Sequence, residues 1–192
     1  MITMNSRLIS SPDFTIRQIE TATETEAFVH LNAAVFRPDE DVEMVATRRY
    51  NYLVADPDFD PGQLRGAFMG NSYLGGYIIR ERSLCLESAR LSTGCIGGVV
   101  THPNYRHQGI AATLMQEALT YAHNQHYALL LLHGISDFYH QFGYIDCLED
   151  IPQHAIDRKL IPEKPPEAYT VRPAMLSDSP ALLALYQHHF GN

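Results

Sequence analysis

The sequence predicts an α/β (α+β) fold, in which helices flank a mixed β-sheet. Short β-branched or apolar runs alternate along the chain with segments of helical periodicity. The dipeptide Gly70-Asn71 separates two strand-like runs, as a tight hairpin turn would. An amphipathic pattern that begins at Gly109 precedes an apolar run at residues 128–132, which is typical of a buried strand. Together these observations favour a sheet with helices packed on it.

The composition is that of a globular protein: of 192 residues, 45% are hydrophobic and 19% are charged. The net charge of -8 argues against a nucleic-acid partner and is more compatible with a cationic partner such as an amine. Three cysteines suggest neither a disulfide framework nor a zinc site. No apolar run approaches the roughly 18 residues of a membrane span. We therefore expect a cytoplasmic protein with no membrane segment and no nucleic-acid partner.

The first elements are predicted to be one strand and two helices. Residues 14–17 have the pattern of a short strand, and Thr23 with Glu26 forms a capping box ahead of an apolar-periodic run. A second helix is expected to start at Asp39 and to end before Asp56-Pro57.

The middle of the chain is predicted to be strands. Residues 64–69 and 73–80 flank the hairpin turn, and residues 84–86 and 90–91 have further strand character. The run at 95–101 is β-branched and interrupted by glycines, which indicates a strand that another backbone or a ligand approaches closely.

Beyond the apolar strand, residues 136–142 are predicted to form one short helix that Gly143 stops. Residues 144–147 are expected to return as a strand.

The C-terminal part repeats the opening pattern. A proline-rich linker spans residues 161–168, so we divide the chain into a main domain at 12–160, this linker, and an incomplete second unit at 169–192. In that unit a strand-like 170–173 precedes a helix opened by Ser179-Pro180. Because one strand and one helix cannot bury their apolar faces alone, we expect this unit to dock on the main domain, to pair with another chain in a homo-oligomer, or to belong to a protein with a missing C-terminal domain. Coincidence between two strand-helix pairs is the alternative.

The turn between residue 101 and the helix after Gly109 carries the features of an anion site. Unpaired backbone N–H groups gather at the positive end of a helix dipole, Gly109 lets a phosphate approach the backbone, and Arg106 can add a cation. An ordinary strand-to-helix connection is the alternative for such a turn taken alone.

In motif, order and spacing this stretch resembles the GNAT superfamily of N-acetyltransferases. Arg106, Gly109 and Ala111 fill the three defined places of that family's phosphate loop, and residues 138–144 resemble its second motif. The resemblance covers residues 14–147. More narrowly, residues 95–100, the Phe-Gly-Tyr ending and the second unit are similar to the tandem-domain enhanced-intracellular-survival (Eis-like) acetyltransferases.

The resemblance implies a mostly antiparallel central sheet, splayed in the middle to admit acetyl-CoA. It implies that Tyr139 protonates the CoA thiolate, although an aromatic core residue is the alternative reading of this side chain. It also implies a set of cofactor-binding residues on the strand and the loop: Val99, Val100, Thr101, Arg106, His107, Gln108, Gly109, Ile110, Ala111 and Ala112.

The resemblance predicts direct transfer of an acetyl group from acetyl-CoA to a primary amine, on a small molecule or a lysine side chain. In the survival-protein relatives the base is thought to be a chain-terminal carboxylate from a later domain, and the acids Glu40, Asp41 and Glu43 are better explained as a solvated helix face. The alternatives are a catalytically silent CoA-binding or interaction module of a larger assembly, and a structural domain with no CoA site.

No metal is expected. The calcium-like run at 56–62 has Pro61 where the loop needs glycine, and His123 with His126 lacks two further ligands.

Overall fold

Five strands form one sheet in the computed structural model, which describes residues 13–135, 137–147, 157–162, 168 and 170–190. Their order in the sheet is their order in the chain. The first four pair antiparallel and the last pairs parallel to its neighbour. The strands are β1 (Thr15–Gln18), β2 (Leu64–Met69), β3 (Ser72–Leu86), β4 (Ala89–Thr101) and β5 (Leu129–Leu132). The predicted fold class, a mixed and mostly antiparallel sheet with flanking helices, is confirmed.

Helices α1 (Ala22–Phe36) and α2 (Val42–Ala55) cover one face of the sheet. Their apolar sides share a core with Leu64 and Phe68 of β2. The capping box of α1 is Thr21 with Glu24, two residues earlier than predicted, because Glu24 also binds Arg17 at the end of β1. Helix α2 begins after Asp41 rather than at Asp39, since the carboxylate of Asp41 accepts the first-turn N–H of Met44 at 3.0 Å.

Helix α3 (Ile110–Asn124) packs on the opposite face of the sheet. One side of it is buried, as its periodicity predicts. Its buried stripe meets Leu74, Tyr77 and Ile79 of β3. The stripe comprises Ile110, Leu114, Met115, Ala118 and Ala122. On the same side, the carboxylate of Glu117 accepts hydrogen bonds from Arg65 at 2.6 and 3.0 Å and from the hydroxyl of Tyr77. This clasp fixes α3, and therefore its N-terminus, against the sheet.

The strand fragments predicted around residues 80–95 belong to one long hairpin of β3 and β4. The polar residues Glu81, Arg82 and Ser83 interrupt the hydrophobic pattern there because this part of the hairpin extends into solvent.

The segment after β5 differs from the prediction. The helix expected at 136–142 is a 3₁₀ turn at His140–Phe142, while Ser136 lies outside the described residues. Gly143, with φ of 89°, ends the turn as predicted. Residues 144–147 form no strand, because aromatic side chains rather than backbone pairing hold this segment on the core: Phe138, Tyr139, Phe142 and Tyr144.

The C-terminal part contains helix α4 (Ser179–Phe190), which starts where the sequence predicts. Residues 170–173 do not form the expected strand. Leu182, Leu183 and Leu185 are each more than half exposed. Residues 163–167 of the predicted linker lie outside the described residues, and the division into two units stays a prediction.

Among the helices that the structure describes, none combines the length and apolar character needed to cross a membrane.

Candidate active site

The central feature of the site is an open edge on β4. Strand β5 pairs with β4 only from Thr93 to Ile96, whereas β4 continues to Thr101 with β3 alone. From Gly97 onward no strand among the described residues covers the β5 side of β4. The sequence-predicted Val99, Val100 and Thr101 all lie on this open stretch, which spans roughly 13 Å at the usual strand rise.

A bulge shapes the start of the open stretch. Tyr77 of β3 faces two residues of β4, since Gly76 pairs with Val100 and Ile78 pairs with Gly97. Gly98 adopts φ of 59° in this bulge. The amide nitrogen of Asn32, a buried residue of α1, donates to the carbonyl oxygen of Gly98 at 3.3 Å. Helix α1 therefore holds the bulge in place.

The far end of the open stretch leads to a helix N-terminus that has no cap. Side chains of Thr21 and Asp41 cap α1 and α2, but no side-chain hydrogen bond caps α3 at Gly109. The first backbone hydrogen bond of α3 is donated by Thr113 to Gly109 at 2.9 Å. The N–H groups before it have no intrahelical acceptor, and they form the positive end of the helix dipole.

The loop before α3 leaves room for a ligand. Gly109 adopts φ of 81°, and a Cβ at this position would meet no atom within 4 Å. His107 also has a positive φ, of 61°. Arg106, His107 and Gln108 are exposed. An exposed loop of N–H groups, beside an arginine that forms no salt bridge with a described residue, has the features of a phosphate-binding site.

Tyr139 lies at the other end of the open edge, in the turn after β5. Its ring packs against the backbone of Gly134, where any Cβ would overlap it. It makes edge contacts with Phe138 and with Tyr144, at centroid distances of 5.0 and 6.0 Å. Its half-buried hydroxyl has no hydrogen-bond partner among the described residues. Burial raises the pKa of Tyr139 above its usual 10.

Tyr144 is the second tyrosine of this cluster. Its hydroxyl is buried without a hydrogen-bond partner in the described structure, and burial raises its pKa to about 12.

A cavity of about 790 Å³ joins Tyr139 to the bulge. Gly97, Gly98 and Val99 form its floor, and the chain leaving β5 forms one wall. Helices α1 and α2 close the other side with apolar and polar side chains that include Phe28, Asn32, Arg49 and Leu53. The strand, the tyrosine and a sheltered space for an acceptor are thus brought together.

The carboxylates considered in the sequence lie elsewhere. Asp41 is occupied as the α2 cap, Glu40 pairs with Arg37 at 3.4 Å, and Glu43 contacts His30 at 2.8 Å. None of them lines the cavity that holds Tyr139.

Sequence reasoning missed several residues of the cavity: Asn32, Arg49, Arg80 and Gly134. They come from α1, α2, β3 and the segment after β5, and no local motif connects them. Gly134, four residues before the aromatic motif begins at Phe138, was the one feature of the sequence that indicated this contact, because a glycine leaves space for the ring of Tyr139. Within the described part of the chain, no group of three or more His, Cys, Asp or Glu side chains could hold a metal ion.

Solved structures share this architecture. A transcriptional regulator from Bacillus halodurans superposes with a TM-score of 0.58 at 24% identity, over 74% of this chain and 99% of that chain. A predicted acetyltransferase from Clostridium acetobutylicum, solved with acetyl-CoA, gives 0.56 at 18% identity, over 72% and 94%. Eis1 of Mycobacterium abscessus gives 0.56 at 18%, over 68% of this chain but 31% of that longer chain.

No curated protein sequence matches the chain. The family model described as acetyltransferase (GNAT) domain matches residues 15–145, which is most of the chain and includes β4, the uncapped helix and Tyr139. The chain therefore belongs to the GNAT acetyltransferase domain family.

Proposed function

We propose that this protein transfers the acetyl group of acetyl-CoA directly to a primary amine, on a small molecule or a lysine side chain. The observation that carries the proposal is the open edge of β4, which leads from the cavity at Tyr139 to the uncapped N-terminus of α3. Family membership supports acyl transfer from acetyl-CoA, and the geometry supports a place for each part of that donor.

The donor would be held by backbone groups at two places. Arg106, His107 and Gln108 with the first turn of α3, Ile110 to Ala112, would bind the pyrophosphate. The open edge from Val99 to Thr101 would pair with the pantetheine arm as an added strand does. Gly109 would leave the space that the phosphates need free of a side chain.

The thioester supplies a carbonyl carbon that an amine attacks, so that a C–N bond forms and the C–S bond breaks. A backbone N–H near Val99 would donate to the carbonyl oxygen as negative charge develops there. The leaving thiolate takes one proton and the new amide releases one, so no further reactant is needed.

Tyr139 is the proposed proton donor to the thiolate. Burial raises its pKa, so its hydroxyl stays protonated at neutral pH and remains able to donate. A tyrosine with its usual pKa near 10 is already a weaker acid than a thiol near 8.5, and burial widens this difference. Proton transfer therefore has to occur together with C–S cleavage.

A catalytically silent CoA-binding module is the second candidate. Two observations favour it: no carboxylate lines the described cavity, and the leucines of α4 remain exposed as in an association surface.

Release of free CoA in the presence of amines separates the two candidates. We expect Tyr139→Phe to lower kcat by about 100-fold or more while acetyl-CoA binds as before. Tyr127→Phe is the control, since Tyr127 is also half-buried but does not line the cavity. Binding of acetyl-CoA without turnover of any amine would support the silent module instead, and equal turnover by Tyr139→Phe would remove Tyr139 from the mechanism.

A further inference from the structure

The cavity beside Tyr139 has a cationic wall. Arg37 at the end of α1, Arg49 of α2 and Arg80 of β3 all line it. The remaining titratable residues of the lining are Tyr52, His133 and Tyr139, and the lining contains no aspartate or glutamate. This local charge is opposite in sign to the net charge of -8, from which the sequence alone favoured a cationic partner.

Two of the three arginines are partly neutralised outside the cavity. Arg37 pairs with Glu40 at 3.4 Å, and Arg80 pairs with Asp56 at 3.7 Å. These distances and their solvent exposure make both pairs weak. Neither Glu40 nor Asp56 lines the cavity. The guanidinium groups of the three arginines are therefore the permanently charged groups of its lining.

Arg49 is the cavity arginine that forms no salt bridge with a described residue. It is half-buried. Burial is the largest cause that lowers the pKa of Arg49, repulsion from Arg37 and Arg48 lowers it further, and attraction to Glu40 offsets part of the shift. A half-buried guanidinium next to like charges destabilises the unliganded protein, and an anion placed against it would relieve that cost.

We propose that the acetyl acceptor is an amine that also carries a carboxylate or phosphate group, and that Arg49 binds this anionic group with Arg37 and Arg80 at the rim. The inference rests on the proposed acetyltransferase function and adds the acceptor's charge. A planar guanidinium binds either anion through two parallel hydrogen bonds. The apolar walls, which include Phe28, Leu53 and Ile78, fit an aromatic or aliphatic body between amine and anion.

CoA itself does not account for this arginine wall. The predicted phosphate-binding residues, from Arg106 to Ala112, do not line this cavity. The cavity is lined instead by Val99 and Tyr139, which the proposed function places beside the acetyl thioester, the reacting end of the donor. The anion that Arg49 would bind therefore enters with the acceptor.

Matched acceptors test the inference with the 192-residue chain. Phenylalanine is compared with phenylalanine amide and phenethylamine, and phosphoethanolamine with ethanolamine, by release of free CoA. We expect turnover of the anion-bearing member of at least one set, with its uncharged or cationic counterpart turned over at least about 10-fold less efficiently. The set that responds distinguishes a carboxylate from a phosphate.

Variants assign the effect to Arg49. Arg49→Gln should raise KM for the anionic acceptor about 10-fold or more and leave the Kd for acetyl-CoA unchanged, and Arg49→Lys should restore part of the loss. Arg90→Gln, an exposed arginine outside the cavity, is the control. Arg37→Gln provides a second variant on an arginine that is 60% exposed, in case Arg49→Gln does not fold.

Turnover confined to neutral or cationic amines, or Arg49→Gln acting like wild type on anionic acceptors, would overturn the inference and leave the acetyltransferase proposal standing. Acetyl-CoA binding without turnover of any of these amines would also count against it. Failure of a folded chain to bind acetyl-CoA would overturn both proposals.

Discussion

At the scale of single residues, two adjacent glycines of β4 differ in whether the structure leaves room for a side chain. A Cβ on Gly98 would lie 2.7 Å from Oδ1 of Asn32 and 3.3 Å from the ring of Phe28, at φ of 59°. A Cβ on Gly97 would meet only a methyl group of Ile78, at 3.7 Å. The bulge therefore needs glycine at position 98 and not at position 97.

We predict that Gly98→Ala destabilises the protein by about 1–3 kcal/mol, because the left-handed conformation and the displaced Asn32 both add cost. Gly97→Ala, the matched control, should change stability by less than about 1 kcal/mol. Urea denaturation of both variants measures the difference. Equal stability of the two variants would mean that the bulge does not have the geometry described here.

The raised pKa of Tyr139 predicts the pH dependence of turnover. A tyrosine is the active donor when protonated, and burial moves its pKa upward, so the active form persists beyond pH 10. No carboxylate lines the described cavity, so kcat/KM should rise as the amine itself loses its proton. It should show no decrease at pH values up to about 10. A falling limb between about pH 8 and 9.5 would contradict this assignment.

Some of these residues could be recognised from the sequence and others could not. Arg106, Gly109 and Tyr139 lie in short motifs whose residue types follow from local chemistry. Arg49 and Asn32 look like ordinary helix residues in the sequence. Their roles depend on which elements meet in space, so only the structure identifies them.

At the scale of elements, α3 has to be fixed for its N-terminus to bind an anion. Glu117 provides this by accepting hydrogen bonds from Arg65 and Tyr77 of the sheet. The side chains of Arg65 and Glu117 are only 18% and 20% exposed, so loss of one partner leaves a poorly solvated charge.

We predict that Glu117→Gln lowers the free energy of unfolding by about 2–3 kcal/mol. Gln116→Ala, on the exposed side of the same helix, should have little effect. Thermal or urea unfolding gives both values. A change below about 0.5 kcal/mol for Glu117→Gln would show that the clasp does not hold α3 to the sheet.

The existence of the main helices and strands was predictable, whereas their boundaries depended on contacts. The exceptions are residues 136–142, where a 3₁₀ turn replaces the helix, and residues 144–147 and 170–173, which form no strand. The Thr21 cap, rather than Thr23, is selected because Glu24 binds Arg17 at 2.6 Å. The hydrogen bond from Arg17 is the largest cause that lowers the pKa of Glu24 to about 2, and it outweighs burial, which acts in the opposite direction. A similar pair recurs near α4, where Arg172 binds Asp178 at 2.7 and 2.8 Å. The predicted repeat of the opening pattern stays a prediction.

At the scale of the whole molecule, the sequence predicts the sheet and its helices because hydrophobic periodicity records which face each element buries. The residue pattern alone does not show where β5 parts from β4, and only the family resemblance implied a sheet that is splayed in the middle. That separation, the uncapped helix and the cationic cavity become one site only when the sheet is assembled.

Calorimetric titration of acetyl-CoA tests whether the donor binds along β4 with its pyrophosphate on α3. Four versions of the 192-residue chain are compared: wild type, Gly109→Glu, Gly109→Gln and Gly70→Glu. Gly70 is the matched control, because it too has a positive φ, of 59°, and no atom within 4 Å of a Cβ, but lies in the β2–β3 turn.

We predict a Kd of about 1–100 μM for wild type and Gly70→Glu, and binding at least about 10-fold weaker for Gly109→Glu, whose carboxylate would face the phosphates. Gly109→Gln should lie between them, which separates charge from strain. A folded wild-type chain that does not bind acetyl-CoA, or a Gly109→Glu variant that binds as tightly as Gly70→Glu, would contradict the account.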